Sequence, residues 1–143
     1  MKRLFLATLL GLAALPLPQT PASASCAAPY LKVSERLVLE RGETMTIEGR
    51  SFADGCQDSM SCSGALGCDS CKYDDPPPVP LEDVGLRLVQ RGRTWTVAVA
   101  DAGTAERNRL GWVEWTFEVP VDARRGPAKL LPEHAEAVPI EIG

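Results

Sequence analysis

Residues that carry out catalysis are scarce in this chain. A single histidine, His134, is present among the 143 residues, and it stands between Glu133 and Ala135 in a predicted turn. The Gly-x-Ser-x-Gly motif of serine hydrolases is absent. We therefore interpret His134 as a solvated loop residue, and we predict no enzymatic activity and no cofactor.

The sequence also has little basic charge, and it has no long apolar or helical segment. The formal net charge is −4, and no long run of Lys or Arg occurs. We therefore predict that the protein does not bind nucleic acid through charge. No apolar run reaches the roughly 20 residues that cross a bilayer. Residues 103–110 are polar and are interpreted as a loop rather than a helix.

The sequence does contain an export signal. Two basic residues precede an apolar run from Leu4 to Leu17, and a small-residue stretch follows at 21–24. This order is typical of a cleaved secretory signal peptide, which we predict over residues 1–24. Its removal leaves 119 residues, 25–143, with a formal charge of −6, which is the size of one domain.

Two cleavage sites compete, and they differ in where the protein is localised. Ala22-Ser23-Ala24 fits the A-x-A rule and gives a secreted chain that starts at Ser25. Alternatively, residues 23–26 form a lipoprotein box in which Cys26 is acylated. Because this box has serine where leucine is usual, we favour a secreted or cell-envelope protein and keep a lipid anchor at Cys26 as the alternative.

Apolar residues of the predicted domain alternate with polar ones, which is the period of β-strands. Glycine-containing turns separate these runs. The pattern predicts an all-β fold, an antiparallel β-sandwich. The alternating residues are Leu31 and Val33; Met45 and Ile47; Leu86 and Leu88; Trp95, Val97 and Val99; Val113, Trp115, Phe117 and Val119; and Val138, Ile140 and Ile142.

Trp112 has the opposite parity to Trp115. We therefore predict that Trp112 lies at the sheet surface or a strand edge. An exposed indole there is a candidate contact for a partner protein or a glycan.

The strand and turn pattern resembles the immunoglobulin-like modules of the bacterial IPT/TIG type found in small secreted or lipid-anchored actinobacterial envelope proteins. The resemblance rests on Tyr30–Val33, on residues 39–52 with their Gly turn and Gly-x-x-Phe end, and on Phe117–Pro120 followed by Gly126-Pro127. It implies an immunoglobulin-like sandwich over most of residues 30–142. It also implies a role as a spacer, adhesive or accessory binding domain, with an envelope or extracellular protein or glycan as partner.

The cysteines lie where the sequence departs from that family, in a Cys/Pro-rich loop insertion predicted over residues 55–80. An exported chain meets oxidising conditions, so disulfides are expected. Four cysteines follow the pattern C-x5-C-x5-C-x2-C, and we predict bridges among these four, with the pairing left open. The fifth, Cys26, is acylated or paired with Cys56; otherwise one thiol is left free or forms an intermolecular bond. The disulfide candidates are Cys26, Cys56, Cys62, Cys68 and Cys71.

Metal binding or thiol chemistry is the alternative for this cluster. Four thiolates, from Cys56, Cys62, Cys68 and Cys71, can bind zinc tetrahedrally. A Cys-x-x-Cys pair can also exchange disulfides, although it normally does so at a helix N-terminus. We therefore predict a non-enzymatic exported module that acts by surface binding or as a structural element, with metal or thiol handling as the alternative.

The signal peptide yields the first testable prediction. N-terminal sequencing of protein recovered outside the cytoplasm should begin at Ser25, or be blocked at an acylated Cys26. Intact protein that begins at Met1 in a washed membrane fraction would contradict cleavage.

Overall fold

The computed structural model describes residues 27–33, 37–63 and 70–143. The predicted signal peptide, both cleavage sites and Cys26 lie outside the described residues. The described part is all β apart from a 3-10 turn at Glu106–Asn108, which confirms the predicted all-β class. No helix in these three ranges has the length and apolar character needed to cross a membrane.

Twelve strands are present in the described ranges. Eight of them form two larger sheets, and four form two small pairs. In chain order they are β1 Tyr30–Lys32, β2 Val38–Leu39, β3 Thr44–Arg50, β4 Ala53–Asp54, β5 Met60–Ser63, β6 Ser70–Tyr73, β7 Val79–Pro80, β8 Val84–Gln90, β9 Arg93–Ala100, β10 Val113–Glu118, β11 Gly126–Pro132 and β12 Val138–Ile142.

The two larger sheets share one hydrophobic core. The three-stranded sheet has the order β1-β3-β10, and the five-stranded sheet has the order β2-β12-β11-β8-β9. Buried side chains of both sheets form a single cluster. Neighbouring strands are antiparallel except β2 and β12, which are parallel. The predicted antiparallel pairing is therefore confirmed for the other described strand pairs and fails at this edge, where a two-residue strand shows no alternation in the sequence.

Strand β10 follows its predicted register. Val113, Trp115 and Phe117 are buried, and the three residues that alternate with them, 114, 116 and 118, are exposed. Each buried residue lies opposite a residue of β3, with Trp115 paired to Ile47. Alternation therefore identified the inward face of this strand correctly.

Trp115 joins the two sheets. Its indole N–H donates a hydrogen bond to the carbonyl oxygen of Val84, on the five-stranded sheet, at 2.8 Å. Its ring meets Phe52 edge to face, with the ring centroids 5.4 Å apart. A Cβ on Gly49 would lie 2.5 Å from Phe52 and 2.7 Å from Trp115, so only glycine fits beneath this aromatic pair.

Strand β9 departs from the predicted alternation. Trp95 and Val97 pack against the core as expected, but Val99 is exposed, and Ala98 and Ala100 take the inward positions. The cause is a β-bulge: the register pairs Leu86 with Ala98 and the next residue of β8 with Thr96, which leaves Val97 without a partner. Because the bulge adds one residue to β9, every later side chain of the strand lies on the opposite face from the one that alternation predicts.

The core register yields the second prediction. Phe117→Ala should lower the free energy of unfolding by about 3–5 kcal/mol, because it opens a cavity in a packed core. Thr116→Ala should lower the free energy of unfolding by only roughly 1 kcal/mol, because it removes one hydrogen bond on an exposed face. That bond joins the Thr116 and Thr46 hydroxyls, which lie 2.8 Å apart. Chemical denaturation of both variants measures the difference, and equal midpoints would contradict the register.

Candidate functional site

The cysteine-rich segment forms an exposed β-hairpin rather than a loop. At its base, β4 pairs with β7, and beyond it β5 pairs with β6. Every residue of β5 and β6 is exposed. The interpretation of 55–80 as a loop is therefore corrected: each strand has only four residues, and both of its faces are exposed, so the sequence gives little sign of strand structure.

A disulfide links the two strands of this hairpin. Cys62 and Cys71 are register partners with their Cα atoms 4.0 Å apart, and their sulfurs are bonded. Cys56 is also disulfide-bonded. The prediction of a disulfide bond is confirmed, whereas the predictions for Cys26 and Cys68 concern positions outside the described residues.

Hydrogen bonds from serines to aspartates add to the cross-link. The Ser61 hydroxyl donates to the Asp74 carboxylate at 2.6 Å, and the Ser59 amide and hydroxyl both donate to Asp75. A cross-strand hydroxyl pair, Ser63 and Ser70, lies 2.7 Å apart. A covalent bond and polar contacts thus hold an element that has no hydrophobic core.

The disulfide bears on the alternative of metal or thiol chemistry at the cysteines. Cys62 and Cys71 have no thiolate to give to zinc while they are bonded to each other. No group of three or more potential metal ligands occurs within ranges 27–33, 37–63 and 70–143. Cys71 lies on a strand and pairs with Cys62, so it lacks the helix N-terminus that activates a thiol-exchange cysteine.

Trp112 lies on the outer face of the three-stranded sheet, beside two guanidinium groups. It is 37% exposed. The Cζ atom of Arg50 lies 3.2 Å from its ring centroid, and that of Arg109 lies 5.4 Å away. Tyr30, the register partner of Arg50 on β1, is exposed next to them. We call Tyr30, Arg50, Arg109 and Trp112 the Trp112 patch.

Electrostatic contacts fix the central arginine of this patch. Arg50 donates a hydrogen bond to Glu48 at 2.8 Å, and only 14% of its side chain is exposed. Lys32 contacts the same carboxylate oxygen at 3.3 Å. The hydrogen bond and charge of Lys32, followed by those of Arg50, lower the pKa of Glu48 below its ordinary value of 4.5. The lowered pKa favours the ionised form of Glu48, which accepts the hydrogen bond from Arg50.

The Trp112 patch and the base of the hairpin lie at the same end of the molecule. The Phe52 amide donates to the Gly111 carbonyl at 2.9 Å, and the Phe52 carbonyl accepts from Leu81 at 3.1 Å. Leu81 in turn accepts a bond from Ala102 at 2.8 Å. These backbone bonds connect the roots of the hairpin to the loop that precedes Trp112.

His134 lies in the exposed turn between β11 and β12. It borders a groove of about 790 Å³ that is lined mainly by apolar residues, together with Tyr30, Arg87, Glu133 and Glu136. Among the described residues, no serine, threonine or cysteine lines this groove.

Comparison of the chain with protein-family models, with curated proteins and with solved structures found no match. The resemblance to IPT/TIG-type modules thus stays a prediction based on strand and turn patterns.

The hairpin yields the third prediction. Reduction should loosen residues 56–71 and lower stability, because closing a short loop is worth roughly 3 kcal/mol, whereas a chelator alone should change nothing. Hydrogen exchange measures the local effect, and the double variant Cys62→Ser/Cys71→Ser removes the Cys62–Cys71 bridge alone and so measures its share of that effect. Release of about one zinc ion per chain by the chelator, with four alkylatable thiols, would establish the metal alternative instead.

Proposed function

We propose that this protein is a non-enzymatic module of the cell envelope or extracellular space that binds a partner protein through the Trp112 patch. The observation that carries this proposal is the stack of Arg50 and Arg109 against Trp112. A glycan partner is the second reading of the same surface.

The residue types of the patch favour a protein partner. Trp, Tyr and Arg are the side chains enriched where binding energy concentrates in protein interfaces. Arg50 covers one ring face of Trp112 at 3.2 Å, which hinders the parallel stacking of a sugar on that face. A protein side chain can instead pack against the exposed ring edge and Tyr30. Because Glu48 and the indole already hold Arg50, little side-chain freedom is lost on binding.

Strand order supports an immunoglobulin-like sandwich as the carrier of this surface. Along the chain, β1 and β3 belong to one sheet and β2 to the other, and β8 and β9 are followed by β10 in the opposite sheet. The last two strands return to the five-stranded sheet as a hairpin. Crossing between two facing sheets in this way is typical of immunoglobulin-like modules. In such modules, binding residues are commonly displayed on loops and faces around a rigid core.

The disulfide supports a location outside the cytoplasm. Stable disulfides form in oxidising compartments, and the Cys62–Cys71 bridge lies in an exposed hairpin where reductants would have access. This is compatible with secretion or with envelope attachment through Cys26. No contact among the described residues favours metal or thiol handling over binding.

The fourth prediction tests the patch. A photo-crosslinking amino acid at position 30 should give one discrete protein adduct in the native host. Trp112→Ala should reduce its yield about tenfold, because loss of an interface anchor typically costs more than 1 kcal/mol. Gel mobility and mass spectrometry of the adduct provide the measurement.

Position 38 provides the matched control. Val38 is 53% exposed, close to the 50% of Tyr30, but lies on β2 in the other sheet. Equal adducts from both positions would show non-specific contact and overturn the proposal. A carbohydrate adduct from position 30 alone would replace the protein partner with a glycan.

A further inference from the structure

Three arginines that are separated in the sequence converge at the β8–β9 turn. Arg91 belongs to this turn, Arg93 is the first residue of β9, and Arg124 comes from the connection between β10 and β11. Together with Gln90, Trp95 and Asp122 they line a cavity of about 210 Å³. The turn lies at the end of β8 away from Val84, and therefore away from the Trp112 patch.

Arg91 occupies a backbone conformation that suits other residues better. Arg91 and Gly92 have φ values of 49° and 82°, and both are positive, as a two-residue hairpin turn requires. Asparagine, aspartate or glycine is the usual choice at the first of these positions. The turn thus carries a conformational cost that an arginine side chain does nothing to relieve, which points to a use for the guanidinium group.

Gln90 holds Arg124 in position from within the protein. Gln90 is only 4% exposed. Its side-chain nitrogen donates to the Arg124 carbonyl at 2.6 Å, and its side-chain oxygen accepts from the Arg124 amide at 2.8 Å. A buried amide that pairs with both backbone groups of one residue fixes the path of that loop.

Arg93 is fixed by two further contacts, and the cavity has an excess of positive charge. Arg93 bonds to Asp122 at 2.5 Å, and its Cζ atom lies 4.7 Å from the Trp95 ring centroid. Among the residues that the structure describes, Asp122 is the only acidic one lining the cavity. Within the described part of the chain, Arg91 and Arg124 have no carboxylate within 4.0 Å. Two guanidinium groups are therefore uncompensated in a protein whose formal net charge is negative.

We propose that this cavity binds a phosphate-type oxyanion. Guanidinium groups match phosphate oxygens with paired, charge-assisted hydrogen bonds. A tetrahedral phosphate has enough acceptor oxygens to contact three arginines at once, whereas a carboxylate has only two oxygens. The cavity of about 210 Å³ is large enough for such a group. Its volume is several times the roughly 30 Å³ that one water molecule takes up in the liquid.

The test is an NMR titration of the folded exported domain with inorganic phosphate, followed through backbone amides and the Trp95 indole N–H. Saturable shifts should centre on residues 90–95 and 122–126. Arg124→Gln should weaken binding about tenfold, as expected when a charge-assisted hydrogen bond is lost. Arg125→Gln is the matched control, because it removes the same charge one residue away from the cavity lining.

Arg91→Asn separates a binding role from a structural one. Asparagine suits a positive φ, so this variant should raise the unfolding midpoint while phosphate binding falls. In a second arm, vesicles of phosphatidylcholine with and without phosphatidic acid replace free phosphate. Binding only to the phosphatidic acid vesicles, lost in Arg124→Gln, would assign the oxyanion to a lipid headgroup. The proposal is overturned if neither probe binds, if Arg125→Gln is as harmful as Arg124→Gln, or if Arg91→Asn binds normally.

Discussion

The fold depends on one buried indole that belongs to both sheets. Trp115 packs its ring against Phe52 and donates its N–H across the core to Val84. The bond satisfies a polar group that would otherwise be costly to bury. Gly49 is the residue that makes room for the pair. Phe52 also connects the core to the surface. Its backbone hydrogen bonds to Gly111 and Leu81 hold the loop before Trp112 and the base of the hairpin.

Sequence periodicity recovered the parts of the fold where one face of a strand meets the core. The alternation of β10 and β12 matched the observed burial residue by residue. It failed where the backbone itself departs from regularity. The bulge at Val97 leaves no signature in side-chain polarity, so Val99 was assigned to the wrong face. The parallel edge strand β2 was missed because two residues are too few to show a period.

The candidate site was predictable only in its separate parts. Parity placed Trp112 on the outer face, and cysteine content indicated a disulfide. The partners of Trp112 could not be predicted, because Arg50 reaches the ring from a strand more than sixty residues earlier in the chain. The same limit applies to Arg124, whose neighbours at the β8–β9 turn are brought close only by the pairing of β8 with β11. A run of charged residues in a sequence can reveal a charged patch formed by neighbouring residues. It cannot reveal a patch whose residues come from distant parts of the chain.

The outer strands of the two larger sheets affect how other chains can pair with the molecule. An unpaired strand edge is a template on which another chain can add, and proteins limit this with short or irregular outer strands. Here the outer strands β1 and β2 have three and two residues, and β9 is interrupted by its bulge. The remaining outer strand of the two larger sheets, β10, runs beside β9. The edges of these two sheets therefore offer little free backbone to another chain, so contacts made there depend on side chains rather than on backbone pairing.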